Sequence, residues 1–176
     1  MIIRAAVPSD ETAIAALHAA SWQFAYRGAL SDSYLAQRVV ADRVAVWRER
    51  FREPSPRQRV LVADNGTDVV GFACAFLDED PAWGCLLDNL HVSRGFQGHG
   101  LGARLLAETA GFCRASVPPR ALHLYVLASN AAAQRFYLAQ GAAVVGSHGW
   151  DAPDGQHLLS LQMAWTADRL PRPRGP

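Results

Sequence analysis

The sequence contains no lysine: all 17 of its basic residues are arginines. That absence removes two kinds of chemistry at once, Schiff-base catalysis through an ε-amine and the phosphate-gripping lysine of a P-loop. An excess of charge is missing too. Seventeen basic against 16 acidic residues leave a net charge of +1 and an isoelectric point near 7.8, so the totals carry no footprint of a nucleic-acid partner. Cysteine is sparse. Cys74, Cys85 and Cys113 are widely spaced among apolar neighbours and read as reduced core residues. The six histidines show no H-x-x-x-H spacing and meet no paired cysteines, so no metal is expected. No apolar run approaches the ~18 residues that a membrane span needs. The N-terminal "MIIRAAVPSDE" turns polar after seven residues, too soon for a signal peptide. These features point to a soluble, cytoplasmic protein.

What is present is apolar content of 50% over 176 residues, enough for one domain with a substantial core. A single domain over residues 1–166 is expected, with the tail over 167–176, which ends in "DRLPRPRGP", having nothing to pack and so disordered. Ile2 to Ala6 reads as a short strand. "PSDETAIAALHAASW" opens a helix with Ile14, Leu17, His18 and Ser21 on one face, and a second helical region runs from about Ser31 to Phe51 with a break near Val39. "RERFREPSPRQR" reads as a solvated helix end and loop. Two β-rich runs around Asn65-Gly66 form a hairpin, and "GCLLDNLHV" is a third strand. After it come a helix with Leu101, Leu105, Leu106, Thr109 and Phe112 at helical spacing, the strand "ALHLYVLA", a helix closed by Gly141, and strands near 143–147 and 158–165. The order is mixed α and β in one unit.

The stretch "HVSRGFQGHGLGARLL" (His91–Leu106) places four glycines between a strand and a helix. Such a turn holds phosphate because free backbone amides and the positive end of the helix dipole converge on one point; the bland alternative is a flexible turn. A P-loop is excluded, because Leu101 and Gly102 follow Gly100 where Lys-Ser or Lys-Thr is required. Gly98, Gly100 and Ala103 satisfy the spacing of a dinucleotide fingerprint. That fold also needs an acid about 20 residues on, and no Asp or Glu lies between Glu108 and Asp151.

In "QGHGLGA", Gln97, Gly100 and Gly102 resemble the acyl-CoA pyrophosphate loop of the GNAT superfamily of N-acetyltransferases. A second match lies 28 residues beyond Gly102, where "LYVLASNAAAQRFYLAQGA" is similar to the next strand and helix of that family. The resemblance covers about Ile2 to Trp165. It implies an α/β fold with a central, mostly antiparallel twisted sheet, splayed at the cofactor site and flanked by about four helices. It also implies acetyl-CoA as co-substrate. Leu90, His91 and Val92 would bond the pantetheine arm through main chain, in the manner of an added strand. Gln97, Gly98, His99, Gly100, Leu101, Gly102 and Ala103 would hold the pyrophosphate, with Asn130 and Phe136 completing the cofactor set.

Tyr137 is implied as the acid that protonates the departing CoA sulfur: a phenol with pKa about 10 is protonated at neutral pH yet can hand its proton to a nascent thiolate. The competing reading is a packed aromatic beside Phe136. Asn130, seven residues earlier and on the same helical face, either touches the cofactor or simply caps its helix. Where many relatives carry a glutamate, six residues before Val92, this chain has Leu86. Asp88, on the same face in an unbulged strand, is the candidate base through a water, while His91 falls on the other face. An amine that arrives neutral is the alternative. "SWQFAYRG" places Trp22 and Tyr26 to wall an acceptor pocket and Arg27 to pair with an acceptor carboxylate. His148, Trp150 and His157 would close the other side. The expected activity is acetyl transfer to a primary amine: a small molecule, an amino acid analogue or a protein N-terminus. A non-catalytic acyl-CoA-binding module of the same fold is the alternative. Neither nucleic acid nor membrane is expected as a partner, and a homodimer is allowed.

Overall fold

The computed structural model describes residues 1–173. Its elements are β1 (Ile2–Ala5), α1 (Glu11–Ala25), α2 (Asp32–Gln37), α3 (Val39–Arg52), β2 (Gln58–Asp64), β3 (Val69–Asp80) and β4 (Gly84–Val92). These are followed by α4 (Leu101–Ala115), β5 (Leu122–Leu127), α5 (Ala131–Ala139), β6 (Ala143–Asp151) and β7 (His157–Trp165). The break expected near Val39 falls at Arg38. In the β2–β3 hairpin the central pair is Gly66-Thr67 and not Asn65-Gly66. Asn65 sits at the corner, its Oδ1 accepting from the amides of Thr67 and Asp68, which leaves Gly66 to take the positive φ of 96°.

The strands form one sheet in the order β1-β2-β3-β4-β5-β7-β6. Every neighbouring pair is antiparallel except β4–β5. α4 and α5 cover one face through a cluster that includes Leu105, Leu106, Leu122, Leu124, Tyr137 and Met163. α1 and α3 cover the other around Ile14, Trp47, Val62 and Phe72. A third cluster ties the sheet's far end to the helices, joining Trp22, Leu30, Tyr34 and Leu35 to Ala152, with Trp150 and Leu158 packed against it. Burying side chains of this size contributes about 1.5–3 kcal/mol each, so the two helical layers hold the sheet from both sides.

Three local features depart from the sequence expectation. Between Cys74 and Ala75, β3 advances one residue while β4 moves two, from Asn89 to Leu87, so Asp88 is the extra residue of a β-bulge. The bulge resets the alternation. Leu86 opposes Phe76 and His91 opposes Phe72, and both partners belong to the α1/α3 side, so His91 shares the face of Leu86 instead of opposing it. β6 runs to Asp151, so His148 and Trp150 sit on a strand and not in a loop. The tail is also packed. Leu170 is 4% exposed in the α4 cluster and Arg114 donates to the Pro171 carbonyl. Residues 174–176, the end of the tail expected to be disordered, lie outside the described residues. Among the described residues, no helix is long and apolar enough to cross a membrane.

Candidate active site

β4 and β5 run side by side only at Cys85–Leu122 and Leu86–His123, and then part. Beyond that seam the edge of β4 facing β5 has no strand to pair with, which leaves its amides and carbonyls open to another partner. The parting opens a cleft of about 890 Å³. One bank is Leu86–Ser93 and the other Leu124–Leu127. α1 and α3 supply His18, Trp22, Tyr26, Arg43 and Arg50, α5 supplies Tyr137, and β6 contributes His148 and Trp150.

At one end lies the glycine turn. Gly98 and Gly100 hold φ of 79° and 77°, and a Cβ on either would meet no atom within 4 Å, so the turn presents open space. The first intrahelical bond of α4 runs from Arg104 N to Gly100 O, which leaves the amides of Leu101, Gly102 and Ala103 without a helical acceptor. A Cβ on Gly102 would lie 3.4 Å from the Phe136 ring, so that glycine lets α4 approach α5. Phe136 therefore supports the turn from beneath and does not line the cleft.

Residues 16–142 match the acetyltransferase (GNAT) family. The chain belongs to the GNAT acetyltransferase family. No curated protein matches it. Among solved structures it is similar to a GCN5-related N-acetyltransferase from Rhodopseudomonas palustris, at TM-score 0.72 and 21% identity over 94% of each chain. It is also similar to a ribosomal-protein-alanine N-acetyltransferase from Brucella melitensis, at TM-score 0.66 and 25% identity over 94% of this chain and 99% of that one. A third neighbour is yncA of Salmonella typhimurium, an acetyltransferase crystallised with acetyl-CoA, at TM-score 0.67 and 21% identity over 100% and 97%. The chemistry of GNAT acetyltransferases is acetyl transfer from an acyl-CoA.

The residues of this GNAT chain fit a CoA nucleotide and its pantetheine arm. Unpartnered amides at the α4 N-terminus suit a pyrophosphate, and the free edge of β4 suits an amide-bearing chain. The Gln97 amide donates to the Val92 carbonyl (2.9 Å), which fixes the turn to the end of β4. His99 is exposed, its Nδ1 2.8 Å from the Gln97 carbonyl. Asn130 Oδ1 caps α5 by accepting from Ala133 N (3.1 Å), and the residue also lines the cleft with Tyr137.

Tyr137 is 9% exposed, against Phe136 and Trp165. Burial raises its phenol pKa well above the ordinary value, so the hydroxyl keeps its proton until a strong base appears. Asp88 Oδ2 lies 2.8 Å from Arg50 Nη1, and the same Nη1 donates to Asn89 Oδ1 (3.1 Å). The bulge thus turns Asp88 and Asn89 together toward α3. Trp22, Tyr26 and Trp150 form one aromatic wall, with ring centroids 5.0 Å apart for Trp22–Tyr26 and 6.0 Å for Trp22–Trp150.

Two expected residues stand elsewhere. Arg27 is exposed, donates to the Gln23 carbonyl and does not line the cleft, because α1 ends at Ala25 and the chain turns away. His157 points outward and pairs with Asp151 at 2.7 Å. His18, Arg50 and Arg43 are among the cleft residues that were not anticipated. His18 was visible only as a polar member of an apolar helical face; Arg50 lay in a charged stretch read as solvated; Arg43 gave no sequence signal. His18 is fully buried, with Nδ1 accepting from Trp47 Nε1 (3.0 Å), and its ring centroid lies 4.7 Å from that of His91. Burial and the nearby Arg43 push His91 down to about 4, and burial pushes His18 well below the usual histidine range, so both are neutral at physiological pH.

Proposed function

We propose that the protein is an N-acetyltransferase that moves the acetyl group of acetyl-CoA to a primary amine by direct attack, with Tyr137 as general acid. The observation that carries this reading is the buried Tyr137 phenol in the wall of the seam cleft, on the helix capped by Asn130. Acetyl-CoA supplies the thioester electrophile. The turn from Gln97 to Ala103 takes its pyrophosphate, and the β4 edge at Leu90, His91 and Val92 orders its arm. The acceptor enters from the aromatic wall. Attack forms the N–C bond and breaks the C–S bond. The excess proton on nitrogen passes to water next to Asp88, the Tyr137 proton goes to the departing thiolate, and the phenolate is reprotonated from solvent as the products leave. The Asp88 carboxylate is engaged by Arg50 at 2.8 Å, which favours a proton relay through water over direct abstraction from the amine.

Exchanging Tyr137 for Phe removes one hydroxyl and keeps the ring against Phe136 and Trp165. Acetyl-CoA affinity stays within a few-fold. Transfer falls roughly 10²- to 10⁴-fold, or about 3–5 kcal/mol of transition-state stabilisation. CoA release is measured over a panel of amines, amino acids and N-terminal peptides, and affinity by calorimetry. A folded Tyr137→Phe protein that turns over a chemistry-limited acceptor at the parental rate refutes the acid role. A parent that binds acetyl-CoA but acetylates nothing in the panel is a non-catalytic acyl-CoA binder instead.

A further inference from the structure

Three arginines and two aspartates line the cleft. Arg50 is neutralised by Asp88 at 2.8 Å. Arg94 belongs to the segment leading into the glycine turn, with its guanidinium 4.2 Å over the Phe24 ring at the mouth. Asp151 is at the rim, bound to His157. Arg43 is different. It reaches in from α3, its guanidinium carbon 4.2 Å from the centroid of the Trp22 ring. Among the described residues no carboxylate lies within ion-pair distance of it, and its Nε is buried with no hydrogen-bond partner.

A buried guanidinium N–H without an acceptor is costly, by about 1–3 kcal/mol or more for a charged group. Arginine presents a planar fork of donors that matches a carboxylate in two-point geometry. The Trp22 face fixes the plane of that fork, leaving its edge for a ligand. Arg43 and Asp88 both act on the Tyr26 hydroxyl, which sets the cationic anchor and the candidate base around the same side chain. The positive charge stands on the Trp22 ring, which packs against Tyr26 and Trp150.

We infer that the acceptor is a primary amine that also carries a carboxylate, with the carboxylate bound by the Arg43 guanidinium and the body laid on the Trp22–Tyr26–Trp150 wall. This role replaces the one expected of Arg27, and it rests on the acetyltransferase reading for the amine but not for the anion site itself.

The test pairs α-, β- and γ-amino acids with their carboxamides as acceptors, with kcat/KM corrected for the fraction of neutral amine. Calorimetry with 3-phenylpropionate and 3-phenylpropionamide, which carry no amine, reads the site without turnover. The parent favours the acid of the best pair by roughly 10- to 100-fold, as expected for a charge-assisted two-point contact. The preference collapses in Arg43→Gln through KM and is partly restored in Arg43→Lys, while acetyl-CoA affinity is retained. Equal use of acid and amide by the parent overturns the inference without a variant, and so does a preference that survives in a folded Arg43→Gln protein. If no acceptor is acetylated, Arg43-dependent binding of 3-phenylpropionate over its amide upholds the anion site while the transferase reading falls; absence of that binding overturns both.

Discussion

Mild acid should destabilise this protein, and the buried pair His18 and His91 sets the size of the effect. His18 Nδ1 is occupied by the Trp47 indole N–H, so a proton there breaks a buried bond. Arg43, and for His18 also Arg50, faces the pair with positive charge. Both rings stay neutral in the folded state, His91 down to about 4, whereas in the unfolded chain they take up protons near pH 6.5. The unfolded state therefore binds more protons between those values, and stability rises with pH across that window and falls on acidification. Going from pH 7.5 to 5.5 costs roughly 1.3 kcal/mol per histidine, about 2.5 kcal/mol for the pair. For a chain of this size that lowers Tm by about 5–10 °C. The carboxylates held low by their partners, Asp10 and Asp64 with Arg4, lose their contribution only at lower pH. Thermal melts in a non-ionising buffer series, without ligand, read the slope. His91→Gln removes one of the two groups and should halve the drop, the exposed histidines cancelling in the difference. A flat Tm between pH 7.5 and 5.5, or a His91→Gln slope equal to the parent's, refutes the reasoning.

Gly100→Asp should leave the fold intact, since a Cβ there meets no atom within 4 Å and the strain at φ 77° is only about 1–2 kcal/mol. It should also weaken acetyl-CoA binding more than 100-fold by setting a carboxylate against the pyrophosphate amides. Calorimetry on the folded variant checks this, and retained affinity removes the turn from the cofactor site. Leu170→Ala should cost about 2–3 kcal/mol, because Leu170 is buried in the α4 cluster. A denaturant midpoint unchanged to within 0.5 kcal/mol would show that the tail only rests on the surface.

The elements of the candidate cofactor half were legible because they are local. The strand, the glycine turn and the helix from Gly84 to Ala115 are contiguous in sequence, and period-2 alternation, positive-φ glycines and 3.6 periodicity each leave a mark. The spacing of Asn130 and Tyr137 was read the same way. The candidate acceptor half is assembled across the sheet from α1, α3, β4 and β6, and no local pattern joins Arg43 to Trp22 or Arg50 to Asp88. The bulge was hidden because an extra residue changes no composition, yet it reversed the facing of His91. Leu170 misled because "DRLPRPRGP" has the composition of a loose end; one leucine suffices when it joins the apolar cluster under α4 and Arg114 can bond the Pro171 carbonyl.

The seam between β4 and β5 has a further consequence. Only two residue pairs join the strands there by backbone, so the halves of the sheet are kept together from behind, by Leu105, Leu106, Leu122, Leu124 and Met163 in one apolar layer. Apart from Leu124, which also lines the cleft, these side chains lie behind it, so the aperture depends on volumes outside its walls. A methylene more or less at Leu122 or Met163 shifts the banks without touching Tyr137, Asp88 or the glycine turn. Selection for a larger ligand can therefore act on the hidden side of the wedge, leaving the candidate catalytic groups untouched while the mouth is retuned.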